Sequence, residues 1–104
     1  MAVYVDNARI PARVNGTSGR WSHLTADTVE ELHQFAQSIG LQRGWFQTCK
    51  TRCAPVGQPC PHWHYDVAAS KRAQAIAAGA KEIDLRQWAE IARARRAAAQ
   101  QATP

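Results

Sequence analysis

The chain has 104 residues, 45% of them hydrophobic and 20% charged, a size and composition that suit one modest core and are too small for two. No apolar run approaches the ~20 residues of a membrane span. The opening residues lack the basic and apolar segments of a secretory signal, so a soluble cytoplasmic protein with reduced cysteines and no membrane partner is expected. The formal charge of +5 is spread over both halves, with Arg93, Arg95 and Arg96 as its densest group, and reads as a solvated basic surface more readily than as a polyanion-binding face.

Val3-Tyr4-Val5 is a β-branched and aromatic run that predicts a first strand. Asp6 ends it, at the sheet edge where ligands collect in open α/β proteins, and reads equally well as a turn-forming residue. From Asn7 to Asp27 no periodicity is sustained, which predicts a long loop. Thr28, with Glu31 three residues on, forms a capping-box pattern that starts a helix at Val29. Val29, Leu32, Phe35, Ala36 and Ile39 make its apolar stripe, Gly40 stops it, and His33 lies on the stripe's flank. Gly44 to Gln47 predicts a second strand, and the strand–helix–strand order predicts a parallel pair.

Thr48 to Pro61 is irregular, with Pro55, Gly57, Pro59 and Pro61 placed among Cys49, Cys53 and Cys60. Ser70 is expected to cap a second helix running to Gly79, Lys81-Glu82-Ile83 to supply a short strand, and Asp84 to cap a third helix. At that third start Gln87 completes a capping box, and Ile83 and Trp88 occupy the positions of a hydrophobic staple. Leu85, Trp88, Ala89 and Ala92 form the expected buried stripe, and the tail frays at Thr103-Pro104. Together these elements predict a single α/β domain over 1–104, with about three helices on a short, mostly parallel sheet from Val3–Val5, Trp45–Gln47 and the region of Ile83. His64–Val67 is a further candidate for extended structure.

Three groups of residues can carry chemistry. Cys49, Cys53, Cys60 and His62 offer three thiolates and an imidazole, a ligand set for structural zinc; the alternative is three reduced cysteines in a loop. His64 and Asp66 alternate along an extended segment and, with His23, Asp27 or Asp6 arriving from elsewhere, can hold a divalent metal or act as an acid–base pair. The alternative gives Asp66 a capping role and His64 a backbone hydrogen bond. Ser70, Lys71 and Arg72 place a hydroxyl and two cations at a helix start, which suits a phosphate-bearing small molecule or nucleic acid, although no glycine-rich phosphate loop precedes them.

Val3-Tyr4-Val5-Asp6, Ser22-His23-Leu24-Thr25-Ala26-Asp27-Thr28, Glu31-Leu32-His33, Trp45-Phe46-Gln47 and His64-Tyr65-Asp66-Val67 with Ser70-Lys71-Arg72-Ala73 form a joint pattern. In this pattern the chain resembles a small family of bacteria and their phages catalogued only as a domain of unknown function. The resemblance covers residues 2–84 and leaves the third helix and the basic tail, 85–104, outside it. It implies that Asp6, His23, Asp27, His33, His64, Asp66, Ser70, Lys71 and Arg72 belong to one pattern and meet in space. It also implies that the cysteine loop is a local addition, separate from the shared polar cluster. The functional expectation is a metal-dependent or His/Asp acid–base phosphoester hydrolase. Its rival is a non-catalytic, phage-type accessory protein that binds a host protein or nucleic acid through Trp21, Trp45, Trp63 and the arginine surface.

Overall fold

A computed structural model describes residues 2–101; the expected fraying at Thr103-Pro104 lies outside that range. The elements in chain order are β1 (Val3–Val5), β2 (Ile10–Val14), β3 (Thr17–Ala26), α1 (Val29–Ser38), a 3-10 turn (Arg43–Trp45), β4 (Phe46–Gln47), β5 (His64–Val67), α2 (Ala69–Ala77), β6 (Lys81–Glu82) and α3 (Leu85–Gln101). The strands form one mixed sheet in the order β4-β5-β3-β1-β6, with β2 paired to β3.

The expected mostly parallel sheet is not what forms. Only β1 and β6 run parallel, through Tyr4↔Lys81 and Val5↔Glu82, and every other pair is antiparallel. The cause lies in the stretch expected to be a loop. Asn15 (φ 51°) and Gly16 (φ 81°) occupy the left-handed region between the paired residues Val14 and Thr17, so Asn-Gly makes the two-residue turn whose twist matches a β-hairpin. The ten-residue β3 then serves three partners: its first half pairs with β2, and its second half lies between β1 and β5. Trp45 belongs to the 3-10 turn, and β4 pairs antiparallel with β5 at the sheet edge, with β5 and β3 between it and β1.

Strand register assigns the two faces. Val5 opposes Leu24 and Leu24 opposes Tyr65, and these side chains join Leu32 and Ala36 of α1 and Ala75 of α2 in the core. Each large buried aliphatic side chain there contributes about 1.5–3 kcal/mol of burial. On the opposite face Tyr4 opposes Thr25, His23 opposes Asp66, and Gln47 opposes His64. This second face carries the polar cluster and is partly covered by α3.

Helix ends follow the sequence closely at two of three starts. Thr28 Oγ1 accepts the Glu31 N–H at 3.1 Å, as the capping pattern predicts. At α3 the exchange is complete: Gln87 N–H donates to Asp84 Oδ1 at 2.8 Å and Asp84 N–H to Gln87 Oε1 at 2.9 Å. The α2 start differs, because Ala68 is its cap, with no side-chain bond, and Ser70 is exposed in the first turn. The α3 stripe also differs: Leu85 and Ala89 are exposed, and the helix is seated by Trp88, Ala92 and Arg95.

Arg95 accounts for that seating. Its guanidinium donates to Pro61 O at 2.9 Å, to Thr25 Oγ1 at 2.7 Å and to Ala26 O at 2.7 Å, and lies 3.4 Å from the centroid of the Trp63 ring. Burial lowers its pKa to about 10, and the four contacts keep the charge in place.

Candidate metal centre

Asp6 terminates β1 and is fully buried, and its carboxylate is fixed on β3. Oδ2 accepts from His23 Nδ1 at 2.6 Å, and Oδ1 accepts the His23 N–H at 2.9 Å and the Ala8 N–H at 3.1 Å. Burial alone would raise the Asp6 carboxyl, but these donors outweigh it and hold it below the usual carboxylate range. The same bond, against the effect of burial, raises the His23 pKa. Asp6 therefore fixes the Nδ1–H tautomer of His23 and leaves Nε2 free.

His64 is held the same way by a different acceptor. Its Nδ1 donates to the backbone carbonyl of His62 at 2.6 Å, which leaves Nε2 3.3 Å from Asp66 Oδ1. The second Asp66 oxygen accepts from Gln47 Nε2 at 2.7 Å. Burial acts to raise the Asp66 carboxyl, and His64, Gln47 and His23 overcome it, so the group stays ionised. In the neutral ring Nε2 is an acceptor, so two acceptors face each other across 3.3 Å. A proton on Nε2 makes this a His–Asp ion pair, and a metal can take that proton's place.

His23, His64 and Asp66 each offer one ligand atom, and the three atoms lie within 4.8 Å of one another. Two imidazoles and one carboxylate on adjacent strands form a set that suits zinc, manganese or iron and leaves coordination positions open. Each ligand is also oriented by a neighbour: Asp6 for His23, the His62 carbonyl for His64, and Gln47 for Asp66. Trp88 of α3 stacks on His23 at 6.1 Å between ring centroids and meets His64 edge-on at 6.3 Å, walling one side. Asp66 and its partner Gln47 also line a cavity of about 350 Å³ together with Arg13, Trp45 and Lys50.

A second cluster stands beside the first. Cys49, Cys53, Cys60 and His62 bring four ligand atoms within 4.8 Å of one another. Cys53 Sγ is 3.1 Å from Cys60 Sγ, and Cys49 Sγ is 3.4 Å from His62 Nδ1. Burial first, then the neighbouring Cys53 and Cys60 thiols, push Cys49 up to about 12. For Cys60, burial is opposed and overcome by the backbone N–H groups of Cys49 and His62 and by the adjoining thiols, and its pKa is lowered.

The remaining expected site residues are placed elsewhere. Asp27 accepts from the Ala2 N–H and the Tyr4 hydroxyl, both at 2.8 Å, and pins the chain start. His33 bonds the Tyr65 hydroxyl at 2.8 Å and packs against Phe46 on the core side of the sheet. Lys71 Nζ donates to Ile39 O at the end of α1. Arg72 is turned inward, donating to Asp6 O at 2.9 Å and Glu82 Oε1 at 3.1 Å. Of the expected anion site, Ser70 and Lys71 line a cavity of about 210 Å³ that also touches Asp66, whereas Arg72 is absent from that lining. The pattern residues thus do not all meet: His23, His64 and Asp66 gather with Asp6 behind His23, while Asp27, His33, Lys71 and Arg72 make hydrogen bonds elsewhere in the fold. Trp88, Arg13 and Lys50 were not legible as site residues; Gln47 stands in the Trp45-Phe46-Gln47 motif of the joint pattern, and the strand register that sets it opposite His64 gives it its role.

Among the described residues, fold and site define a small α/β domain with three helices, a mixed six-stranded sheet and two side-chain clusters of metal-ligand type. The chain belongs to the family described as "Protein of unknown function (DUF4031)", whose model matches residues 3–95 and so includes the Arg95 anchor beyond the 84 at which the resemblance was drawn. Neither the curated proteins nor the solved structures returned a match. Among the described residues no helix is long and apolar enough to cross a membrane.

Proposed function

We propose that this domain is a divalent-metal-dependent phosphoester hydrolase centred on His23, His64 and Asp66. The observation that carries the proposal is the 3.3 Å contact between His64 Nε2 and Asp66 Oδ1 beside the free Nε2 of His23. Ligand atoms on adjacent positions around a metal at ~2.1 Å are roughly 3–3.5 Å apart, so one edge of the coordination figure is already set. A metal held by His23, His64 and Asp66 would lower the pKa of a bound water and so supply hydroxide at neutral pH. That hydroxide would form the new P–O bond as the ester P–O bond breaks, and the departing oxygen would take its proton from solvent.

The neighbouring cavity supports a phosphate-bearing substrate. Arg13 and Lys50 line it together with Asp66 and Gln47, and Ser70 and Lys71 border the adjoining pocket, so both cavities that reach Asp66 have cationic side chains in their lining. In this reading Arg13 and Lys50 take the anion-holding role that the sequence suggested for Arg72.

The test supplies one equivalent of zinc for the cysteine cluster, removes any excess by dialysis against a weak chelator, follows Mn²⁺ binding by loss of the free-ion EPR signal, and assays chromogenic phosphomonoesters and phosphodiesters. Binding of one Mn²⁺ and turnover, both lost in Asp66→Ala, is expected. Turnover that survives Asp66→Ala, or no Mn²⁺ bound at all, overturns the reading. Metal binding without turnover would favour a non-catalytic module. For that second reading the supporting observation is that Trp21 and Trp45 line the 210 Å³ cavity beside Asp66. Trp63 is removed from it, because Arg95 covers its ring.

A further inference from the structure

The loop from Thr48 to Trp63 contains no helix or strand, yet it joins the directly paired strands β4 and β5. Its internal turn bond is Gln58 N–H to Pro55 O at 3.0 Å, and Val56 at its tip is exposed. Backbone pairing of this kind is too little to fix a loop of that length. The β4–β5 pairing holds its two ends together, and within the loop the side chains of Cys49, Cys53, Cys60 and His62 gather, with Cys49 near the start and Cys60 and His62 near the end.

Two backbone amides converge on one sulfur there. Cys60 Sγ accepts the Cys49 N–H and the His62 N–H, each at 3.4 Å. Paired N–H groups aimed at a sulfur stabilise a thiolate, the form that binds metal. Three sulfurs and one imidazole nitrogen form a closed tetrahedral set for zinc with no open position, the pattern of a structural site.

His62 belongs to both clusters. Its ring nitrogen Nδ1 is 3.4 Å from Cys49 Sγ, and its backbone carbonyl accepts the Nδ1–H of His64 at 2.6 Å. The flanking carbonyls are also fixed, Pro61 O by Arg95 and Trp63 O by the Thr25 hydroxyl at 3.0 Å. The peptide that orients His64 is therefore held on both sides by the sheet and α3, and at its centre by the His62 ring.

We propose that Cys49, Cys53, Cys60 and His62 bind a structural zinc ion, and that this ion, through the His62 peptide, sets the tautomer and position of His64 in the second centre. The consequence of this coupling for metal binding at the second centre rests on the functional reading of His64 above; the zinc site and the coupling to the His64 tautomer do not. The cysteine loop is thus a support for the polar cluster and not an addition separate from it. Zinc binding releases the thiol protons to solvent and holds the ring of His62. The carbonyl of the same residue then stays where His64 Nδ1–H can reach it, and Nε2 stays directed at Asp66.

The test has three readouts. Zinc per chain is measured by elemental analysis after dialysis against a weak chelator, and Co²⁺ substitution is followed by sulfur-to-cobalt charge-transfer absorption. The His64 tautomer is read by long-range ¹H–¹⁵N correlation, independently of any second metal. Mn²⁺ affinity at the His23/His64/Asp66 centre is measured by EPR.

One zinc and a strong cobalt–thiolate band are expected in the wild type. Both should be lost in Cys53→Ser/Cys60→Ser, together with a single His64 tautomer and ten- to a hundredfold in Mn²⁺ affinity. Stripping zinc from the wild-type chain with a strong chelator and then restoring one equivalent is expected to abolish and return the single His64 tautomer. That reversibility distinguishes support from general misfolding if the double serine variant unfolds.

No zinc and no cobalt–thiolate band in the reduced wild type, or a Cys53–Cys60 disulfide in their place, overturns the zinc site. Zinc bound with the His64 tautomer unchanged on its removal overturns the coupling. Absence of Mn²⁺ binding in zinc-loaded wild type with the tautomer still zinc-dependent overturns the hydrolase reading alone and leaves the coupling standing.

Discussion

His64 Nε2 and Asp66 Oδ1 face each other at 3.3 Å while the other nitrogen of the ring is already committed to the His62 carbonyl. A neutral His64 therefore sets lone pair against lone pair, and the position between them is suited to a cation. Asp66→Asn would replace one acceptor by an amide donor, with Gln47 still able to donate to the remaining oxygen. At pH 8 with metal removed, this variant is expected to melt at or above the wild-type temperature, yet to bind Mn²⁺ at least tenfold more weakly. A clear drop in melting temperature would mean that the contact is already satisfied without a cation.

The Asp6–His23 pair gives a pH dependence whose sign follows from the two shifts. His23 is raised above its usual 6.5, so its contribution is fully present below 6.5 and is lost as pH rises through the raised value. Asp6 is lowered below its usual 3.8, so its contribution is present above 3.8 and is lost as pH falls through the lowered value. His33 and His62, whose pKa values burial lowers, titrate in the wild type and in Asp6→Asn alike and drop out of the difference. The stability difference between metal-free wild type and Asp6→Asn, measured by urea unfolding, is expected to be largest between 3.8 and 6.5 and to shrink at higher pH. With metal bound His23 must be neutral, so metal affinity should rise with pH over the range in which that stability difference falls.

Arg95 makes three charge-assisted hydrogen bonds and covers the Trp63 ring. Removing it by Arg95→Ala leaves the Pro61 and Ala26 carbonyls without this donor and is expected to cost about 3 kcal/mol in denaturant unfolding. Arg95→Lys keeps a charge but not the planar fork, and should recover less than half of that loss.

Gly16 holds φ at 81° in the hairpin turn, and a Cβ there would meet no atom within 4 Å. Gly16→Ala is therefore a test of backbone strain without a clash, expected to cost about 1 kcal/mol while leaving Mn²⁺ affinity within twofold. A larger loss of metal affinity would show that the hairpin positions the centre.

The sequence carried the helix starts and the composition of the site better than the topology. Thr28 and the Asp84–Gln87 pair announced their helices because a cap is a local hydrogen bond, readable from three or four residues. The β2–β3 hairpin was hidden because Ile10 to Ser18 is exposed on nearly every residue, which leaves no polar–apolar alternation to detect; Asn15-Gly16 was its only strong mark. Losing that hairpin changed the sheet from antiparallel to parallel in expectation, since a strand followed by a helix and a strand then looked like a crossover. His23, His64 and Asp66 were legible as chemistry, but their adjacency rests on the register His23↔Asp66, a pairing across more than forty residues that no local pattern encodes. Ser70, Lys71 and Arg72 looked like one anion site because they are neighbours in the chain, and a helix sends successive side chains in different directions.

The bond between Arg95 and Thr25 spans seventy positions of the chain. Small domains fold as units, so the polar face of the sheet gains its Trp88 cover and its Arg95 anchor only once the last helix is in place. A chain cut short before α3 would therefore leave His23 and His64 open on that side.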